Sequence, residues 1–145
     1  MTDETKVFGF TNGHRFLSNF WPSPVKFDGE VYPSVEHAFH AAKTNDPDER
    51  QLVREQLSPG RTKKIGRRVT LRPDWEKVKV DVMRRLVREK FRDRCLKQKL
   101  LATGDQELVE YNTWGDTYWG VCTRIRQGQN WLGKILMEVR EELQK

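Results

Sequence analysis

A chain of 145 residues fits one domain of ordinary size, and its 36% hydrophobic residues, with five Trp and seven Phe, supply enough core material to fold. No run approaches the ~20 apolar residues of a membrane span, the opening Met1-Thr2-Asp3-Glu4 lacks a signal peptide, and Cys95 and Cys122 are too few and too far apart for a disulfide framework or a zinc ribbon. The expected setting is therefore the cytoplasm, or the nucleus of a eukaryotic cell, with no membrane partner, while the net charge of +6 favours an anionic ligand.

In chain order, Val7-Phe8-Gly9-Phe10 and Val25-Lys26-Phe27 carry β-forming residues broken by Asn12-Gly13, Pro22, Pro24 and Asp28-Gly29, a pattern of short strands or hairpins. Ser34 is placed to cap a helix whose apolar stripe is Val35, Ala38, Phe39 and Ala42. Asp46-Pro47-Asp48-Glu49 reads as a cap, a proline at the first helical position and a capping carboxylate. That helix is expected to turn Leu52, Val53 and Leu57 inward and to end at Ser58-Pro59-Gly60. A long helix begins near Asp74 with Trp75, Val78, Val82 and Leu86 on one side, widened by Val80, Val87 and Phe91. Leu96, Leu100 and Leu101 continue helical spacing towards Thr103-Gly104, and Leu132, Ile135, Leu136, Val139 and Leu143 mark a last helix. The fold class is mainly α (α+β): a compact multihelical single domain over residues 1–145, core about 8–143, with short strands or hairpins near the N-terminus.

Chemistry concentrates in two stretches. Glu36, His40 and Lys43 follow i, i+4, i+7 spacing and share one helical face, either as a solvated edge or as a carboxylate beside an amine whose pKa falls on desolvation. His37 and His40 are three apart and lack a third ligand, so no metal is expected, and no cofactor motif of the dinucleotide, Walker or serine-hydrolase type occurs. Asp116 lies between Trp114 and Trp119 in a loop rich in Gly, Asn and aromatics. It suits either a desolvated carboxylate or a turn former. Arg61, Lys63, Lys64, Arg67, Arg68 and Arg72 form a basic run open to phosphates, including those of nucleic acid.

Phe16-Leu17-Ser18-Asn19-Phe20-Trp21-Pro22-Ser23-Pro24 and Tyr32-Pro33-Ser34-Val35-Glu36-His37-Ala38-Phe39-His40-Ala41-Ala42-Lys43 resemble the opening motifs of the NADAR (YbiA-like) family. Arg72-Pro73-Asp74-Trp75, Leu100 to Gly104, Tyr118-Trp119-Gly120, Asn130 and Leu132 to Met137 are similar to later ones, in the same order from about Phe8 to Leu143. The resemblance implies a metal-free N-glycosidase in which Glu36, Lys43 and Asp116 are catalytic, Lys43 forming an imine with the opened ribose. It also implies pocket-forming roles for Asn19, Trp119, Gly120 and Asn130, and Phe20, His37, His40, Trp114 and Tyr118 beside these motifs are the further expected substrate contacts. His40 stands where a glutamine is more usual, and Val121-Cys122-Thr123 replaces a more open stretch. The expected substrate is ADP-ribosylated guanine, in nucleic acid or as a nucleotide. A phosphorylated ribosylamino-pyrimidine of riboflavin synthesis is the alternative. A non-catalytic ADP-ribose-binding module, or a nucleic-acid-binding protein whose Trp residues stack bases, would be the reading without turnover.

Overall fold

The structure is a computed structural model that describes residues 5–145; Met1-Thr2-Asp3-Glu4, on which the expectation of no signal peptide rests, lies outside the described residues. In chain order the elements are β1 (Lys6–Phe8), a 3-10 helix (Asn12–Leu17), β2 (Val25–Phe27), β3 (Glu30–Tyr32), α1 (Val35–Ala42), α2 (Pro47–Arg54), α3 (Pro59–Gly66), α4 (Trp75–Lys90), α5 (Arg94–Ala102), β4 (Glu107–Val109), β5 (Tyr111–Asn112), β6 (Val121–Cys122) and α6 (Trp131–Gln144). The mainly helical class with few short strands is what the sequence pattern predicts. The elements fall into two compact units: Asn19–Lys90, and the stretch up to Ser18 together with Phe91–Lys145. No helix among the described residues is long and apolar enough to cross a membrane.

In the unit Asn19–Lys90, β2 and β3 pair antiparallel across Asp28-Gly29, both at positive φ (48° and 85°), as a two-residue primed turn requires. Val25, Phe27 and Tyr32 face the core while Lys26 and Val31 face out. The hairpin packs on α1, which is also contacted by α2, α3 and α4. All eight residues of α1 are consequently buried, polar ones included. Ser34 caps it as predicted, its Oγ accepting from the His37 amide at 3.2 Å. On α4 the buried stripe is Trp75, Val82, Met83, Leu86 and Val87, while Val78 and Val80 are only half-buried.

The next segment departs from its sequence pattern in three ways. Asp46 does cap α2, but Glu49 closes no capping box, because its carboxylate instead accepts from Thr44 Oγ1 (2.6 Å) and the Thr70 amide (3.0 Å). Of the three residues expected inward only Val53 is buried. Leu52 is exposed, and Leu57 is 86% exposed because α2 has already ended at Arg54. Ser58-Pro59-Gly60 does not terminate a helix but starts α3, with Ser58 Oγ accepting from the Arg61 amide and Pro59 in the first turn. Part of the basic run, including Arg61, Lys63 and Lys64, therefore sits on a helix.

In the other unit β1 pairs in parallel with β4, and β5 in parallel with β6, so the N-terminal strand finds its partner a hundred residues away rather than in a hairpin. Asn12-Gly13 opens the 3-10 helix, with Asn12 at φ 50°, instead of breaking two strands. Asp93 caps α5, and Gly104 follows it at φ 63°, the left-handed position foreseen for it. Leu132, Ile135, Leu136 and Val139 bury the inner face of α6, which packs on β4 and α5.

Candidate active site

Within Asn19–Lys90 the candidate groups on α1 are Glu36 and His40, with Lys43 directly at its C-terminal cap. The solvated-edge alternative does not hold, because Glu36 is 9% exposed and His40 5%. His40 Nε2 lies 2.7 Å from Glu36 Oε1, an i, i+4 pair inside the protein. The Glu36 amide donates to the Asn19 carbonyl (3.1 Å), and the Asn19 side-chain amide reaches Met83 Sδ at 3.6 Å, so Asn19 ties the start of α1 to α4. His37 has both ring nitrogens engaged, Nδ1 with Ser34 Oγ (2.7 Å) and Nε2 with the Gln56 carbonyl (3.0 Å), which pins α1 to the segment after α2. Phe20 is exposed.

Lys43 is half-buried, its ammonium 5.7 Å from the centre of the Phe39 ring. Burial lowers its pKa below the ordinary lysine value; Arg67 and Lys63 push the same way and Glu36 pushes back. The Lys43 carbonyl accepts from the Arg72 amide at 2.7 Å, and the Arg72 guanidinium is held by Asp74 through two contacts of 2.6 and 3.0 Å. Trp75 packs on Phe39 with ring centres 5.1 Å apart. Arg-Pro-Asp-Trp thus locks the helix end that carries Lys43. Sequence spacing missed Lys63 and Arg67 as neighbours of Lys43 and Gly66 as a neighbour of His40, since nothing in a basic run says which residues turn towards α1.

In the other unit, the aromatic loop is organised by its amides. Asn112 bonds the Asp116 backbone in both directions, at 2.8 and 3.1 Å, and Asp116 Oδ1 accepts from the Tyr118 and Trp119 amides at 3.0 and 2.9 Å. The turn-forming role weighed for Asp116 is therefore present in the geometry. The Tyr118, Trp119 and Gly120 carbonyls in turn accept from the Trp131, Leu132 and Asn130 amides, which satisfies the first turn of α6 where Asn130 offers no side-chain cap. Gly120 has no room for a side chain, since a Cβ would fall 2.3 Å from the Glu110 carbonyl. Asn130, at φ 56°, spends its amide on β4 and the residue after it, accepting from the Glu110 amide (3.0 Å) and donating to the Leu108 carbonyl (2.9 Å). Trp114 is exposed; Tyr118 and Trp119 are half-buried, with their rings edge to face at 4.9 Å. Asp116→Asn, which keeps the Oδ1 acceptor, is expected to fold as stably as the parent. Asp116→Ala should lose about 1–3 kcal/mol in denaturant unfolding, and an unchanged midpoint for the alanine variant would refute the turn role.

Among the described residues no three His, Cys, Asp or Glu side chains converge as a metal site. The fold and site define a mainly helical protein in which one buried helix carries a carboxylate–imidazole pair and is capped by a lysine of lowered pKa. The chain matches the NADAR domain model over residues 5–144 and belongs to that family. It is similar to N-glycosidase YbiA of Escherichia coli strain K12, 43% identical over 130 residues that cover 88% of this chain and 80% of that protein. It is also similar to N-glycosidase Npun_R5314 of Nostoc punctiforme (38% over 133 residues; 88% and 84%). Riboflavin biosynthesis protein VVA0006 of Vibrio vulnificus is 40% identical over 135 residues, covering 91% of this chain but 36% of that one. The NMR structure of the Escherichia coli protein YbiA superposes with a TM-score of 0.82 at 37% identity, covering 96% of this chain and 83% of that chain.

Proposed function

We propose that this protein is a hydrolase of N-glycosyl bonds that cleaves the C1–N bond of a ribose, with Glu36 as its carboxylate and Lys43 as its amine. One observation carries the reading: a single buried helix brings a fixed carboxylate and an amine of lowered pKa into mutual electrostatic range. The names of the relatives, N-glycosidase in two species, support the reaction class.

Breaking C1–N builds positive charge on the sugar, which the Glu36 carboxylate stabilises. Because Lys43 is partly deprotonated at a lower pH than an ordinary lysine, its Nζ can form a bond to C1 as the base departs with a proton. The C1–O4′ bond then opens as the lysine nitrogen gives its remaining proton to O4′, which leaves an imine at C1; water adds there, and collapse of the adduct returns the amine and releases the ribose aldehyde. Asp116 is proposed as a further catalytic carboxylate on resemblance alone.

For the substrate we propose ADP-ribosylated guanine. Lys63 and Arg67, close enough to depress Lys43, offer cations to a diphosphate, and Arg61, Lys64 and Arg68 extend the charge for a nucleic-acid strand. The second reading, a phosphorylated ribosylamino-pyrimidine, draws on the relative named a riboflavin biosynthesis protein. The deciding experiment incubates the protein with guanine-ADP-ribosylated DNA and, in parallel, with the pyrimidine ribotide, with mass spectrometry of the products. Free ADP-ribose and restored guanine are expected. Cleavage of the ribotide alone would move the assignment to the second substrate, and two intact substrates would leave a binding role. With cyanoborohydride present, a covalent sugar adduct is expected at Lys43. Peptide mapping must separate it from Lys90, which burial lowers to about 7 but which is only 2% exposed.

A further inference from the structure

We infer that His40 is the positioning residue for Glu36, that it donates from Nε2, and that Gly66 is glycine because it seats the His40 ring. The inference deepens the N-glycosidase reading and rests on it for its kinetic test.

The ring is fixed from several sides. Nε2 meets Glu36 Oε1 at 2.7 Å, Phe39 stands edge to face with its centre 5.7 Å away, and Nδ1 is buried with no hydrogen-bond partner. Gly66, at the end of α3, lies so close that a Cβ there would sit 2.1 Å from Nδ1, 2.5 Å from Cγ and 2.9 Å from the His40 Cβ. Those distances cannot be relieved by swinging a flexible side-chain end, because the ring is packed. A carboxylate only accepts, so the ring proton that makes the 2.7 Å contact is on Nε2, and the bare Nδ1 lone pair is the side that faces Gly66. A proton on Nδ1 instead would set a buried donor against α3 with nothing to receive it and would turn two lone pairs towards each other at Glu36. The bond engages Oε1 and leaves Oε2 as the Glu36 oxygen to face the sugar. His40 therefore acts through Glu36 and fixes which oxygen is presented. A glycine in a basic helix, unremarkable in sequence, becomes a part of that device.

The test uses the N-glycoside that the wild type cleaves and compares His40→Leu, His40→Gln and Gly66→Ala. Misplacing Glu36 is expected to lower kcat about 10²-fold in His40→Leu with KM little changed. His40→Gln, whose amide can donate to the same oxygen, should recover most of that loss. Gly66→Ala, which leaves the hydrogen-bonding groups of Glu36 and His40 unaltered, should fall in the same direction by displacing the ring. A His40→Leu enzyme with parental kcat, or a glutamine variant as poor as the leucine one, would overturn the assignment. A second measurement needs no turnover: long-range proton–nitrogen NMR of the wild-type imidazole should show the proton on Nε2, and a proton on Nδ1 refutes the inference. If the wild type cleaves neither substrate, the N-glycosidase reading fails while the NMR result still decides the His40–Glu36 pair.

Discussion

Glu36→Gln is expected to reduce base release by about 10²–10³-fold while leaving the melting temperature near that of the parent. The substitution keeps the side chain's size, and the glutamine carbonyl oxygen can still accept from His40 Nε2, so the packing of α1 on its neighbours has no reason to change. What disappears is the negative charge. Its loss should also be read at Lys43, because Glu36 favours the ammonium there, against burial, Arg67 and Lys63. The folded pKa of Lys43 is already below 10.5, so its free amine appears at lower pH than in an unfolded chain, and removing Glu36 lowers it further. Reductive trapping of a simple sugar aldehyde by Lys43 should therefore rise with pH with its midpoint below 10.5 in the wild type, and with a midpoint at still lower pH in Glu36→Gln. The same sign applies to stability. In the window between the two pKa values the unfolded chain binds the extra proton, so this site's contribution to stability rises with pH up to 10.5. Parental release by the glutamine variant would remove Glu36 from the mechanism. An unmoved trapping profile would show that the carboxylate does not act on the amine.

The features that the sequence made legible are those that depend on near neighbours in the chain. Ser34, the apolar stripe after it, Asp28-Gly29 and Gly104 each satisfy a local rule, and each appears in the structure where the rule puts it. Glu36 and Lys43 were legible as helical neighbours, but their burial was not, since the residues that cover α1 come from α2, α3, α4 and the hairpin. The pairing of β1 with β4 and of β5 with β6 involves segments too short to show a period of their own, and parallel partners distant in the chain leave no turn signal between them. Leu57 failed as a core residue because a helix boundary at Arg54 came earlier than its apolar spacing suggested. Gly66 could not be found at all from the sequence, because the reason for it is a ring on another helix.

Asn130 gives the other large expected effect, and it concerns stability rather than chemistry. Its side chain bridges the Glu110 amide and the Leu108 carbonyl from a left-handed backbone position, immediately before α6. Gly133, one turn on, allows this approach, since a Cβ there would lie 2.1 Å from the Leu108 carbonyl oxygen and 2.3 Å from Asn130 Nδ2. Asn130→Ala removes both bonds next to buried strand residues and forces an alanine to φ 56°, where asparagine is tolerated and alanine is not. Two lost partners at about 1–3 kcal/mol each, with about 1 kcal/mol of backbone cost added, give an expected loss of about 3–7 kcal/mol. Asn130→Gly relieves the backbone and should lose about 1 kcal/mol less than the alanine. Equilibrium urea unfolding separates the two variants. If both unfold at the parental midpoint while base release falls, Asn130 contacts substrate and its bonds to the strand are incidental. If stability falls in the order glycine then alanine, its amide holds α6 on β4, and the aromatic loop whose carbonyls cap that helix is set in place by the same residue.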